Sequence, residues 1–120
     1  MISTFKDLTL WQEAMELVID VYKITKQFPK SEMYGLCSQM QRCAVSVPSN
    51  IAEGHQRNST PQFLQFISIA RGSLGELETQ IILAFRLEYL DKNTKEELLN
   101  RVARVGRLIG GMMKSLKAKV

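Results

Sequence analysis

Residues 45–54 read Val-Ser-Val-Pro-Ser-Asn-Ile-Ala-Glu-Gly and place a proline inside a helical pattern of apolar residues. The pattern stays in phase across Pro48, which predicts one helix rather than two helices separated by a break. Pro48 has no N–H to donate to the carbonyl of Ala44, so we expect a kink at this point. The apolar stripe of this helix consists of Leu36, Met40, Cys43, Ala44, Val47 and Ile51.

The sequence contains three further amphipathic segments, one before this helix and two after it. The first begins at Thr9, the third begins with the cap Thr60 and has Pro61 at its first helical position, and the fourth follows a turn at residues 91–94. Each repeats apolar residues at intervals of three and four, as a helix packed on one side does. The sequence therefore predicts an all-α fold, an antiparallel up-down four-helix bundle, as a single domain over residues 1–120 with the second helix kinked at Pro48.

Local signals suggest where these helices end and how they pack. Gly54 is expected to cap the C-terminus of the second helix. Thr94 with Glu97 has the spacing of a capping box at the start of the fourth. Gly72 and Gly75 lower the helix propensity of the third helix by about 1 kcal/mol each relative to alanine, so we expect them to permit the close approach of a neighbouring helix.

Composition restricts the class of protein. The 120-residue chain carries a net charge of +4, and six basic residues but no acid follow Glu97. Residues 1–6 lack the apolar run of a signal peptide, and no stretch approaches the roughly 20 apolar residues of a membrane span. Cys37 and Cys43 lie too far apart around one helix to form a disulfide within it. These features predict a cytoplasmic protein with reduced thiols and no membrane partner.

The chain resembles the bacterial four-helix-bundle family of ribosomal RNA intervening-sequence proteins over nearly its whole length. The resemblance is carried by residues 5–8 (Phe-Lys-Asp-Leu), 28–29 (Phe-Pro), 34–36 (Tyr-Gly-Leu), 46–54 (Ser-Val-Pro-Ser-Asn-Ile-Ala-Glu-Gly) and 70–79 (Ala-Arg-Gly-Ser-Leu-Gly-Glu-Leu-Glu-Thr). It departs at Gln41 and Cys43, where the family often has basic and small residues.

This resemblance implies the bundle fold and a ring-shaped homo-oligomer, a pentamer. Some family members are encoded within insertions in large-subunit ribosomal RNA genes, and relatives of the fold assist a reverse transcriptase in diversity-generating retroelements. The resemblance therefore implies RNA or DNA, or a protein such as a reverse transcriptase, as partners. Most members have no assigned activity.

The fourth helix carries the basic character of the chain. Its candidate nucleic-acid-binding residues are Arg101, Arg104, Arg107, Lys114 and Lys117. At about 100° per residue, these side chains lie away from the apolar stripe or at its edges. They form either a solvated face or a surface that binds phosphates by counterion release. No aromatic residue is interleaved with them, so the pattern favours recognition of backbone or shape.

A polar strip flanks the kinked helix and includes Arg42, Ser46, Asn50 and Glu53. The Ser46 hydroxyl or the Asn50 amide could compensate the carbonyl freed by Pro48, which would make the strip a local structural network. Alternatively, Arg42 and Glu53 could pair between neighbouring helices, or between subunits at an oligomer interface. Glu78 in the third helix is expected near the core, where a partly buried acid needs a basic partner.

The remaining candidates for chemistry are sparse. His55 is the only histidine, and Glu76 and Glu78 should point about 160° apart on their helix. We therefore expect no catalytic residue, no metal site and no cofactor. The first helix has two adjacent apolar seams, more than a bundle needs, which indicates a subunit interface. The sequence predicts a non-enzymatic homo-oligomer that binds RNA as an accessory protein, or alternatively a protein-interaction scaffold with no nucleic-acid affinity.

Overall fold

Four helices make up most of the chain in a computed structural model that describes residues 4–120. The helices are α1 (Thr9–Thr25), α2 (Leu36–Gln56), α3 (Thr60–Arg86) and α4 (Lys92–Lys117), with short 3-10 turns at Phe5–Asp7 and Lys30–Glu32. They form a four-helix bundle with principal extents of 45 × 24 × 20 Å. Between residues 4 and 120 there is no strand. The predicted all-α bundle is confirmed.

Each helix packs against its two neighbours in the order α1–α2–α3–α4–α1, so that α1 and α3 are diagonally opposite. This arrangement follows from one apolar stripe on each helix meeting at a common axis. The most completely buried large side chains come from all four helices: Leu17, Val21, Met40, Val47, Ile51, Ile67, Leu77, Ile81, Leu98, Val105 and Ile109. No helix of the described chain is long and apolar enough to cross a membrane.

Helix α2 runs without interruption through Pro48, as its apolar periodicity predicted. Whether the helix bends there stays a prediction. Gly54 does not cap α2, because the helix continues to Gln56. Instead, Gly54 is buried where α2 meets the start of α3, and a Cβ atom on it would lie 2.7 Å from Cβ of Phe66 and 2.9 Å from Cδ1 of Phe63. The glycine therefore permits a close approach of these two helices.

Two other local predictions are wrong. Gly72 and Gly75 are exposed, and a Cβ on either would meet nothing within 4 Å, so they permit no close approach within the subunit. The start of α4 is capped by Asp91, whose Oδ1 accepts a hydrogen bond from the backbone N–H of Thr94 at 2.8 Å. In the predicted capping box, the side chain of Glu97 would accept a hydrogen bond from the backbone N–H of Thr94. Asp91 accepts that hydrogen bond instead, so the helix begins one turn earlier.

Glu32 joins the start of α2 to the end of α3. Its Oε1 accepts a hydrogen bond from the backbone N–H of Leu36 at 3.0 Å, and its Oε2 accepts one from the hydroxyl of Tyr89 at 2.8 Å. These two hydrogen bonds lower the pKa of Glu32. A Cβ on Gly35 would lie 2.7 Å from Oε1 of Glu32, so the neighbouring glycine leaves room for the carboxylate.

A buried polar contact joins α1 to α2. Thr25 is buried at the end of α1, and its hydroxyl donates a hydrogen bond to the carbonyl of Val21 at 2.8 Å. The same hydroxyl accepts a hydrogen bond from Nε2 of Gln41 at 2.9 Å. An amide at position 41 therefore serves an interhelical contact in this chain.

Candidate nucleic-acid interface

The outer surface of α4 presents its basic residues in two groups. Arg107, Lys114 and Lys117 are exposed. Arg107 and Lys114 are seven residues apart and so lie within about 20° of each other around the helix. The core positions of α4, such as Val105 and Ile109, point to the opposite side, into the bundle. These three cations, here called the outer basic face, make no ion pair within residues 4–120.

The other two predicted phosphate-binding residues contact acids of α1. Nε of Arg101 lies 2.6 Å from Oδ2 of Asp20, and Nε of Arg104 donates a hydrogen bond to Oε1 of Glu13 at 2.8 Å. Both guanidinium groups remain partly exposed, so these pairs contribute only about 0.2–1 kcal/mol each. The local positive charge of α4 is thus concentrated in its C-terminal half.

The ion pairs could not be read from α4 alone. Glu13 and Asp20 are seven residues apart in α1 and lie on its side that faces α4. In an antiparallel neighbour, acids at this spacing can reach cations one turn apart. In the sequence, the two acids on one side of α1 are the only indication of these ion pairs. They identify the paired arginines only once α1 and α4 are known to be neighbours.

Two members of the polar strip on α2, Ser46 and Asn50, form hydrogen bonds beside the contact with α3. The hydroxyl oxygens of Ser46 and Ser73 lie 2.8 Å apart, a hydrogen bond between the two helices. Nδ2 of Asn50 donates to the carbonyl of Ser46 at 2.8 Å and to its Oγ at 3.0 Å. Pro48 leaves the carbonyl of Ala44 without its usual donor, but the Asn50 amide donates to Ser46 instead. Asn50 therefore does not compensate the carbonyl of Ala44.

The charged members of the predicted network lie apart. Glu53 pairs with Arg57 one turn along, at 2.8 Å, and both are exposed. Arg42 is exposed and makes no ion pair within the described chain. Glu78 is exposed as well, so its predicted place near the core is wrong. The reason is geometric, since Glu78 is about 100° beyond the buried Leu77 around α3.

Cys43 lies in the same contact between α2 and α3. Its thiol donates a hydrogen bond to the carbonyl of Ser73 at 3.0 Å. Burial, together with the negative charge of Glu76, raises the pKa of the Cys43 thiol to about 11. The thiol is therefore protonated near neutral pH and is a poor nucleophile.

Around these contacts, α2 and α3 form a shallow polar cleft of about 280 Å³. It is lined by Gln39, Arg42, Cys43, Ser46, Ser73, Glu76 and Gln80. The two serine hydroxyls bond each other rather than a general base. His55 instead packs edge-on against the ring of Phe63, with ring centroids 5.6 Å apart. The residues that the structure describes include no group of three His, Cys, Asp or Glu side chains placed to hold a metal ion.

Comparison with known proteins supports the bundle architecture and identifies a sequence family. Residues 6–111 match the family profile described as 23S rRNA-intervening sequence protein. A crystal structure at 1.70 Å of a protein of unknown function from the S23 ribosomal protein family of Bacteroides thetaiotaomicron VPI-5482 superposes with a TM-score of 0.83 at 23% identity. The match covers 91% of this chain and 98% of that one. Among curated protein sequences, none matches.

Proposed function

Because this chain belongs to the 23S rRNA-intervening sequence protein family, we propose that it is a non-enzymatic, homo-oligomeric accessory protein that binds structured RNA through α4. The observation that supports this proposal is the outer basic face. Arg107, Lys114 and Lys117 are exposed cations with no ion pair in the described chain, so their charge is available to an external anion.

Physical chemistry favours a polyanion as that partner. Neutralising phosphates with lysine and arginine releases condensed counterions, which supplies affinity without reading sequence. In a homo-oligomer the outer basic face is repeated in every copy, and the fields of the copies add. Arg101 and Arg104 can contribute further, since a surface ion pair worth about 1 kcal/mol or less can exchange its carboxylate for a phosphate.

The test measures binding of the full chain to a structured RNA, a single-stranded RNA and a DNA duplex by fluorescence anisotropy at about 50 and 200 mM salt. Several phosphate contacts should reduce affinity by orders of magnitude over this range. Charge reversal of the outer basic face, R107E/K114E/K117E, is expected to abolish binding while leaving the circular dichroism of the helices unchanged.

A matched control reverses the charge of three cations on another part of the surface. Lys26, Lys30 and Lys92 are exposed at the end of the bundle away from the C-terminus of α4. K26E/K30E/K92E should weaken binding only slightly, through the smaller net charge. Equal loss of affinity in both triple variants would show that net charge, not this face, governs binding. No binding by the wild-type protein at low salt would refute the RNA proposal.

The alternative function is a protein-interaction scaffold without nucleic-acid affinity. The observation in its favour is apolar surface outside the core, where Ile69, Leu83 and Leu87 are 46%, 45% and 45% exposed. This alternative predicts no salt-dependent binding to any of the three nucleic acids.

A further inference from the structure

The start of α1 and the C-terminal half of α4 form a groove outside the core, with a volume of about 380 Å³. Pockets that bind small molecules have volumes of about 300–1,000 Å³. The lining of this groove is mostly apolar, and its exposed Thr9 and Ser115 each bring a hydroxyl group. We call it the α1–α4 groove, and its lining residues are Leu8, Thr9, Leu10, Arg107, Leu108, Gly111, Met112 and Ser115.

The α1–α4 groove lies directly beside the outer basic face, and Arg107 belongs to both. At about 100° per residue, Leu108, Gly111 and Ser115 fall within an arc of about 60° around α4, and Arg107 and Lys114 lie together just beyond its edge. None of the described residues that line the groove is acidic. An apolar hollow flanked by cations complements a ligand that carries an apolar face next to an anionic group.

Gly111 lies between these cations and the apolar side chains of the groove. It is exposed in the interior of α4, and a Cβ atom on it would meet nothing within 4 Å, so its lack of a side chain serves no contact within the subunit. Glycine is a poor helix former, and one of its uses is to let a ligand approach the backbone closely. The position of Gly111 is therefore consistent with a ligand that crosses from the groove to the cations.

We infer that the α1–α4 groove holds an unpaired base of the bound RNA, while the outer basic face binds the phosphates next to that base. The inference rests on the proposed function and names the class of RNA that it selects. A nucleotide has both parts that this surface calls for, a flat base with apolar faces and a charged phosphate. The base can lie against Leu108 and Met112, whose thioether sulfur makes favourable contacts with aromatic rings. The hydroxyl of Thr9 or Ser115 can form a hydrogen bond with the edge of the base.

The size of the groove favours a base over a protein helix. It extends along α4 from Arg107 to Ser115, about 12 Å at a rise of 1.5 Å per residue. An average protein helix of about 11 residues is about 17 Å long, whereas one or two nucleotides fit this length. The bases of an A-form duplex are stacked inside the helix and cannot enter, but those of loops and bulges can. The RNA class is therefore a structured RNA with an unpaired nucleotide beside a helical segment.

This base site could not be inferred from α4 alone. The absence of an aromatic residue among its cations favoured recognition of backbone or shape. The structure adds apolar side chains from a different part of the chain, because Leu8 and Leu10 at the start of α1 lie beside Leu108 and Met112.

The test compares a fully paired RNA duplex with the same duplex carrying a short bulge, by fluorescence anisotropy with the full chain. The wild type should bind the bulged RNA about tenfold more tightly, the order of magnitude that one stacked base contributes. Gly111→Leu fills the groove with a neutral side chain whose Cβ has free space. It should bind the bulged RNA about tenfold more weakly than the wild type does and bind the duplex with unchanged affinity. Circular dichroism checks the fold, and if Gly111→Leu loses helicity, Ser115→Leu makes the same test.

The matched control is Gly72→Leu, the same substitution at an exposed glycine of α3 where a Cβ also meets nothing within 4 Å. This variant should keep the preference for the bulged RNA. A direct readout of the base comes from 2-aminopurine placed in the bulge, whose fluorescence rises when the base leaves the stack. With the RNA saturated by protein, we expect this rise for the wild type and Gly72→Leu, and its absence for Gly111→Leu.

Three results would overturn the base site alone: equal affinity of the wild type for both RNAs, an undiminished preference in Gly111→Leu, or a lost preference in Gly72→Leu. Each leaves the RNA proposal in place, since that proposal is read from the loss of affinity for both RNAs in R107E/K114E/K117E. No binding of either RNA at low salt would overturn both. An acidic amphipathic peptide that binds the wild type more tightly than the bulged RNA, and loses affinity in Gly111→Leu, would overturn the base site by assigning the groove to a protein.

Discussion

Replacing Gly54 by alanine is expected to destabilise the bundle, although alanine is the better helix former. Gly54 lies inside α2 and is buried against α3. The added Cβ would lie 2.7 Å from Cβ of Phe66, 2.9 Å from Cδ1 of Phe63 and 3.3 Å from the carbonyl oxygen of Phe63. Two of these three atoms belong to, or adjoin, the backbone of α3, so rotating a side chain cannot relieve the contact. The helices must separate locally.

The magnitude follows from two opposing effects. Alanine in place of glycine in a helix interior stabilises by about 0.5–1 kcal/mol. Overpacking of a tight contact destabilises by about 1–3 kcal/mol, and the short distances here place this site near the upper limit. The net expectation is a loss of about 2 kcal/mol in the free energy of unfolding. For a domain of this size, that corresponds to a fall in Tm of about 8 °C.

The matched control is the same substitution at Gly75. This glycine is exposed in α3, and a Cβ there meets nothing within 4 Å, so only the gain in helix propensity remains. Gly75→Ala should raise the free energy of unfolding by about 0.5–1 kcal/mol. Urea unfolding followed at 222 nm measures both variants. Equal shifts of the same sign would refute the argument that the contact at Gly54, rather than helix propensity, decides its effect.

Three further predictions concern protonation and surface charge. Hydrogen bonds to its carboxylate lower the pKa of folded Glu32, so its stabilisation is present above the unfolded value of about 4.3 and is lost as pH falls through the folded value. The Tm difference between wild type and Glu32→Gln should therefore be constant near pH 6 and shrink below about pH 4; a constant difference down to acid pH would contradict this. Cys43, with its pKa of about 11, should react with iodoacetamide at pH 8 at least about tenfold more slowly than free cysteine, as judged by peptide mass mapping; an equal rate would show an accessible thiolate. Arg104→Ala removes one exposed ion pair with Glu13 and should change the free energy of unfolding by less than about 1 kcal/mol, and a loss above 2 kcal/mol would mean that the pair is not a surface contact.

The helices were predictable because their signals are local and redundant. In α2, for example, the apolar stripe that includes Met40 and Ile51 continues in phase across Pro48, and this outweighs the single hydrogen bond that proline removes. Helix ends were less predictable. Asp91 and Thr94 both have side chains able to cap α4, and the choice between them depends on the path of the preceding turn.

The candidate surfaces were predictable only in part. The excess of cations on α4 is visible in the sequence. Which of them form ion pairs within residues 4–120, as Arg104 does and Arg107 does not, depends on which helix lies alongside. The same reasoning applies to Ser46, whose partner Ser73 is 27 residues away in the chain. Glycines show this limit most clearly. Gly54 and Gly75 are equivalent as residues in a helix, and only the neighbouring helix distinguishes them.

The sequence by itself determined the number of helices, the stripe that each buries and the basic charge of the C-terminal segment, because periodicity and composition act within one helix. Only the tertiary structure decided which cations are neutralised, which glycine is a packing contact and that Oε1 of Gln80 has no hydrogen-bond donor within residues 4–120. These properties depend on distances between atoms of different helices. Such distances are set when four apolar stripes pack together, and no single stripe contains them.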